Sequence, residues 1–332
     1  MTTTTRNTVR LGMTDLQVSP VAFGTWQLGG EWGQFDEDAA ITAIRQAREL
    51  GVNLFDTAQG YGFGASERLL GKALRDDLDN RRDEVVIATK GGLRMTDDGL
   101  VRDSSPEWLR SGVEASLRAL DVEHIDLYQV HWPDPQAPFA ETAEALQDLV
   151  DEGKIRHVGV SNFDAAQMAE FAQTRPVETL QPPYDLFRRE IEEEILPYSR
   201  EHDIGVLIYG PLAHGLLTGA LDENTTFAAD DWRSGAPFFK GDAYRRNIQV
   251  VRELERFASE RFGVTVSQLA VAWTLANPAV QVAIVGARSR RHIEDSVAAA
   301  KLSLSEGDLE RIDRIMAGAV PLSGPSPEMM PE

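Results

Sequence analysis

The chain has 332 residues, 42% of them hydrophobic, and a formal net charge of -20 from 53 acidic and 33 basic side chains, with no cysteine. Its length and apolar content suffice for a large buried core, its charge excludes a nucleic-acid partner, whose phosphates would be repelled, and the missing thiols exclude disulfides and thiolate chemistry. No apolar run approaches the roughly 20 residues that span a bilayer, and the N-terminal MTTTTRNTVR has no apolar signal core, so a cytoplasmic location without membrane contact is expected.

VRLGMTDLQVS (9–19) reads as a β-hairpin with Gly12 and Asp15 near its turn. Short β-branched apolar runs then alternate with longer segments of helical apolar spacing. The runs are 21–26, 53–58, 84–90, 124–131, 155–162, 178–183, 205–212 and 280–287; the helix-like segments are 37–50, 65–75, 106–120, 139–152, 164–173, 190–202 and one near 245–262. Ser105 before Pro106, Asn162 to Asp164 before AAQMAEF, and Gly51, Gly153 and Gly263 are start and stop signals. Strands separated by helices pair in parallel through crossovers. Eight such units without a Pro- or Ser-rich linker predict a single closed (β/α)8 TIM barrel over 1–332, its bottom capped by the hairpin. Outside the repeat, 213–244 is expected as a long loop after the seventh strand, 265–277 and 305–318 as extra helices, and 319–332 as an irregular, proline-rich tail.

The stretch NLFDTAQGYGFGASERLLGKAL (53–74) holds a G-x-G-x-x-A run at Gly60, Gly62 and Ala65. A dinucleotide phosphate loop also needs an acidic residue ending the next strand, about 20 residues on. Here that strand, EVVIATK, ends in Lys90, and the acid, Asp56, ends the first strand. The phosphate-loop reading is therefore rejected.

Active sites of such barrels form at the C-terminal strand ends, which here carry Trp26, Asp56, Lys90, His131, Ser161 with Asn162, Gln181, Tyr209 and Gly286. Taken singly, Asp56 and Lys90 also read as an internal ion pair, His131 as a core histidine and Tyr61 as an anchor. Their coincidence favours chemistry: Asp, Lys and His end three successive strands, and Tyr61 follows the first. Only five of the basic residues are lysines, which makes Lys90 conspicuous. No metal centre is expected, because neither H-x-H nor H-E-x-x-H occurs and HWPD (131–134) runs through a proline. A lysine ammonium beside a phenol favours the phenolate, while burial opposes it. A carboxylate fixes the lysine, and a histidine can orient a carbonyl oxygen. Such a set moves a proton at a carbonyl oxygen but supplies no electrons, which implies a hydride cofactor.

FDTAQGYGFGASERLLGKAL, VIATKGG, IDLYQVHWPD, GKIRHVGVSNF, QPPYDLF, LIYGPLAHGLLTG and VGARSRRHIEDS together resemble the aldo-keto reductases, over about residues 9–320, and more narrowly the bacterial branch with the Bacillus general stress aldo-keto reductases. The resemblance implies Tyr61 as general acid, Lys90 lowering its pKa, Asp56 supporting Lys90 and His131 positioning the carbonyl. It implies NADPH, with NADH less favoured. Ser161, Asn162 and Gln181 match positions that bond the nicotinamide carboxamide, Tyr209 the aromatic under the ring, and Gly210, Leu212 and Gly215 the segment over the pyrophosphate. Trp26 is expected as a further cofactor contact. Arg288, helped by Arg291 or His292, fits the adenosine 2′-phosphate. The chain departs where relatives carry Glu-Asn for the adenine: here stand Asp295 and Ser296. Trp26, Trp32 and Trp132 are candidate walls of an apolar substrate pocket. The implied activity is reduction of aldehydes or ketones; a polyol or sugar dehydrogenase and a non-catalytic NADPH-binding regulatory subunit are the alternatives. A monomer or small homo-oligomer is expected.

Overall fold

The computed structural model describes residues 8–29, 36–228, 231–286 and 290–322. A hairpin of β1 (Val9–Arg10) and β2 (Gln17–Val18) precedes β3 (Val21–Gly24), α1 (Glu37–Glu49), β4 (Leu54–Asp56), α2 (Ala65–Ala73), α3 (Arg75–Asn80) and β5 (Val86–Gly91). A second hairpin, β6 (Leu93–Thr96) and β7 (Gly99–Arg102), leads into α4 (Pro106–Leu120), β8 (Ile125–Val130), α5 (Phe139–Asp151), β9 (Ile155–Ser161), α6 (Ala165–Phe171) and β10 (Thr179–Gln181). Then come α7 (Ile195–Glu201), β11 (Gly205–Tyr209), α8 (Gly241–Phe262), α9 (Val266–Ala276), β12 (Val282–Val285), α10 (Arg290–Ala299) and α11 (Glu306–Met316).

Strands β3, β4, β5, β8, β9, β10, β11 and β12 close into a barrel in that order, all in parallel. They are the eight expected runs, with ends shifted by a few residues. Strands of a barrel are buried on both faces and so read as nearly continuous apolar runs. Phe23, Phe55, Ile87, Tyr128, Val158, Leu180 and Ile208 join the helix side chains in the outer core. Ala22, Leu54, Val86, Ala88, Leu127, Leu207, Val282 and Ile284 pack inside with Leu11, Leu16 and Val18 of the first hairpin.

That hairpin plugs the barrel at the ends where the strands begin. Gly12 (φ +52°) is pressed so closely on the start of β11 that an added Cβ would lie 2.1 Å from the Gly205 nitrogen, and Met13 N donates to Asp203 O at 2.8 Å. Asp15 in the turn sits 2.8 Å from His157 Nε2 and accepts from Arg156 Nη2 at 3.1 Å, while His157 Nδ1 lies 2.6 Å from Glu178 Oε1.

Local signals set several helix starts. Ser105 accepts from Trp108 N ahead of Pro106, and Asp164 forms a capping box with Gln167. Other expectations need correction. The segment 65–75 divides at Leu74 into α2 and α3. In 190–202 a 3-10 turn (Glu190–Glu192) precedes α7. The long loop contains 3-10 turns at Ala213–Thr218, Trp232–Ser234 and Pro237–Phe239 and yields to α8 at Gly241, short of 244. Two helices, α8 and α9, stand between β11 and β12 where the repeat has one, so this connection carries an added helix. Helix α10 was not expected; packed on α1 and α9, it completes the ring, and α11 follows it as a further added helix. The β6–β7 hairpin was also not expected. Its turn ends at Gly99, φ +114°, and only Leu93 of its two strands is buried, so it has no apolar alternation to reveal it. The tail is irregular through Leu322, tied by paired bonds between the Asn247 side chain and the Val320 backbone; the rest of it lies outside the described residues. No helix among the described residues is long and apolar enough to cross a membrane.

Candidate active site

The site begins at the turn between β4 and α2. Gln59 N donates to Lys90 O at 2.9 Å and Tyr61 N to Ala58 O at 3.1 Å, and Gly62 (φ +59°) passes so close to Gly29 O that a Cβ would lie 2.4 Å from it. A side chain there would displace the turn that carries Tyr61. The start of α2 is anchored as well: Ser66 Oγ donates to Thr25 Oγ1 at 2.7 Å, and Thr89 Oγ1 donates to Glu67 Oε1 at 2.7 Å. Burial pushes the Glu67 carboxyl above its ordinary range.

Lys90 Nζ donates to Asp56 Oδ2 at 2.7 Å, to Thr57 O at 2.9 Å and to Tyr61 OH at 3.4 Å. Exposure is only 1% at Lys90, 3% at Asp56, 7% at Tyr61 and 2% at His131, so the ion pair acts with little solvent screening. The His131 ring meets the Tyr61 ring edge-on, centroids 5.7 Å apart. Burial, with the Lys90 charge adding to it, holds His131 well below the ordinary histidine range. It is therefore a neutral imidazole at neutral pH, suited to hydrogen-bonding an oxygen rather than to trading protons.

Above this group opens a cavity of about 460 Å³, lined by Gly24, Asp56, Tyr61, His131, Ser161, Gln181, Tyr209 and Gly286 among others. These sit at or just beyond the ends of seven of the eight barrel strands, all but β5. Asn162 holds one wall in a left-handed conformation (φ +62°). Its Nδ2 donates to His131 O at 3.0 Å and to Ser161 Oγ at 3.1 Å, and its Oδ1 accepts from Tyr209 OH at 2.9 Å. Ser161 Oγ donates to Gln181 O at 2.8 Å, and Gln181 Nε2 donates to Asp56 Oδ1 at 2.8 Å. Hydrogen bonds thus link the cavity wall to the ion pair.

The segment after β11 closes the other side. Gly210, Leu212, His214, Gly215 and Thr218 line the cavity with Arg233 and His292. Arg233 is held edge-on by Asp231, Nε to Oδ1 at 3.0 Å and Nη2 to Oδ2 at 2.6 Å, and its Nη1 donates to His214 O at 3.3 Å. Burial, reinforced by Arg188 and Arg233, pushes His214 down to about 3. Trp26 approaches Trp232 and His214 with ring centroids 6.5 and 6.4 Å apart, so the first and seventh strand-end loops meet over the cavity. Among the described residues no group of three or more His, Asp or Glu could hold a metal ion.

Residues 20–317 match the model of the aldo/keto reductase family. The chain belongs to the aldo/keto reductase family. Aldo-keto reductase YhdN of Bacillus subtilis is 41% identical over 308 residues, 92% of both chains. An NADH-specific methylglyoxal reductase of Escherichia coli is 34% identical, with 90% of this chain and 95% of the relative covered. Among solved structures, the glycerol dehydrogenase AKR11B4 from Gluconobacter oxydans superposes with a TM-score of 0.87 at 41% identity, covering 96% of this chain and 97% of that one. An aldo-keto reductase from Klebsiella pneumoniae in complex with NADPH gives a TM-score of 0.74 at 30% identity, covering 95% and 96%.

In this aldo/keto reductase the expected residues Asp56, Tyr61, Lys90 and His131 come together, and Trp26, Ser161, Asn162, Gln181, Tyr209, Gly210, Leu212, Gly215 and His292 all line the cavity. Trp132 does not. It is absent from the described lining, and its ring instead carries the Arg102 guanidinium, 5.2 Å from the centroid; the unexpected β6–β7 hairpin brings that arginine in. Trp32 and Arg288 lie outside the described residues. Sequence reading missed Arg233 and Gln27, which line the cavity too. The D-W-R spacing in the long loop was the available sign of the first; no spacing marks the second.

Proposed function

We propose that this protein is an NADPH-dependent reductase of aldehydes and ketones, with Tyr61 as the proton donor. The observation that carries this reading is the buried chain Asp56–Lys90–Tyr61, with 2.7 and 3.4 Å links, at the floor of a cavity open to a carbonyl compound. The ammonium stabilises the phenolate left when Tyr61 gives up its proton, and Asp56 holds the ammonium in place. Neutral His131 hydrogen-bonds the same carbonyl oxygen and orients it toward Tyr61 OH. When bound, the nicotinamide cofactor supplies the hydride to the carbonyl carbon.

The residues present fit such a cofactor. Ser161, Asn162 and Gln181 offer donors and acceptors for a carboxamide, Tyr209 offers a ring face, and the left-handed backbone at Gly210 (φ +70°) and Gly215 (φ +102°) bends the following segment around the cavity. Arg233, Arg288 and His292 are the cationic or donor groups suited to its phosphates, since guanidinium forks match phosphate oxygens. Arg288 favours NADPH; the NADH-specific relative keeps NADH as the second choice.

The same groups run in reverse, with phenolate Tyr61 accepting the proton of an alcohol. The likeness to a glycerol dehydrogenase favours polyol oxidation as the second reading. Absorbance of reduced nicotinamide, followed with a panel of small aldehydes against NADPH and NADH and with glycerol against NADP, tests both. Aldehyde-dependent NADPH oxidation supports the first reading, and NADP reduction by glycerol alone supports the second. Tight NADPH binding without turnover in either direction contradicts both and points to a regulatory subunit.

A further inference from the structure

Gln181 reaches across the barrel mouth. Strands β10 and β4 stand opposite each other in the closed order, with three strands between them on either side, yet Gln181 Nε2 lies 2.8 Å from Asp56 Oδ1. The other carboxylate oxygen, Oδ2, takes Lys90 Nζ at 2.7 Å, and Lys90 Nζ reaches Tyr61 OH at 3.4 Å. A carboxylate only accepts, so it fixes the amide with Nε2 toward Asp56 and leaves Oε1 as the amide's acceptor. Gln181 is 2% exposed and lines the cavity beside Asn162 and Tyr209.

We infer that Gln181 is a positioning residue for proton delivery, holding Asp56 so that Lys90 bridges Asp56 and Tyr61, while the same amide offers Oε1 to a carboxamide N–H in the cavity. One side chain thereby joins the bound ligand to the proton donor. The inference rests on the reading of Tyr61 as that donor. The charged and titratable groups facing this contact are Lys90 from β5, Tyr61 from the β4–α2 turn and His131 beyond β8, with Glu67 of α2 acting on Lys90 at longer range.

Serving the ligand and serving Asp56 place opposite demands on a Q181E variant. Its carboxyl accepts from a carboxamide in either protonation state but donates to Asp56 only when protonated. Q181E is expected to turn over at acid pH and to lose about tenfold or more in kcat, the loss of one charge-assisted hydrogen bond, as pH rises through an ionisation absent from the wild type and from Q181M. In the cofactor-free protein the introduced carboxyl, followed by 13C NMR, should titrate above the ordinary glutamate range because Asp56 lies against it. Q181M should lose kcat at every pH while remaining folded by circular dichroism. Wild-type kcat in Q181E above the pH at which the introduced carboxyl ionises, an ordinary glutamate titration, or a Q181M defect confined to KM for NADPH would overturn the inference. If Q181E is inactive throughout, the cofactor-free titration decides. If the wild type itself turns over no carbonyl, the functional reading fails, while that titration still tests the Asp56 contact.

Discussion

Lys90 and Asp56 meet at 2.7 Å with side chains 1% and 4% exposed. Removing one partner of a buried pair leaves the other charge uncompensated, typically at a cost of about 3–5 kcal/mol. D56N and K90M should therefore both lower the denaturation midpoint and both depress kcat. Chemical unfolding with steady-state kinetics checks this. An exposed pair would give about 0–1 kcal/mol instead, and such a value would mean that the pair is solvated.

Asn162 stands in the left-handed region and also bonds Tyr209, His131 O and Ser161. N162A should lose those bonds and add about 1–2 kcal/mol of backbone strain. N162G relieves the strain without restoring the bonds. It should recover part of the stability of N162A but leave the weakened NADPH affinity unchanged, as read by fluorescence titration. Equal stability of the two variants would contradict the role given to the backbone.

His157 is clamped between Asp15 and Glu178. Burial works against its charge, but hydrogen bonds to Glu178 and Asp15 raise it above the ordinary histidine value. A raised folded-state pKa contributes stability that is fully present below about pH 6.5, the unfolded value, and is lost as pH rises through the folded value. The melting temperature of the wild type should exceed that of H157Q near pH 6, and the margin should shrink by pH 9, as the barrel plug loses its charged clamp. A margin independent of pH would show that the imidazole acts through packing alone.

Gly12 carries a positive φ, and its Cβ position lies 2.1 Å from the Gly205 nitrogen. G12A should destabilise by about 2–5 kcal/mol, the sum of left-handed strain and overpacking. Because the hairpin plugs the end of the barrel away from the cavity, kcat at low temperature should be unchanged. A selective loss of kcat in a fully folded G12A would contradict that separation.

The barrel was legible because its strands carry apolar residues on both faces and its helices carry a 3.6-residue period. The Asp56, Lys90 and His131 positions followed from strand ends alone. Contacts set by tertiary placement did not. The Gln181–Asp56 bond joins residues 125 apart in sequence, and Arg233 reaches the cavity only because three 3-10 turns fold its loop back. Helix α10 escaped detection because RRHIEDSVAA buries only Ile293, Ser296 and Ala299, too thin an apolar stripe beside its phosphate-clamp reading. Trp132 read as a pocket wall because it is a large apolar ring, whereas the structure turns it toward Arg102.

The central claim is that Tyr61 donates the proton to a carbonyl at this site, and Tyr61→Phe tests it most directly. Single-turnover oxidation of NADPH by a reactive aldehyde should fall by about 10²–10⁴-fold, the range for loss of a general acid, while the NADPH dissociation constant stays within a few-fold of the wild type. Turnover by Tyr61→Phe close to that of the wild type, with binding intact, would contradict the account and require another proton donor in the cavity.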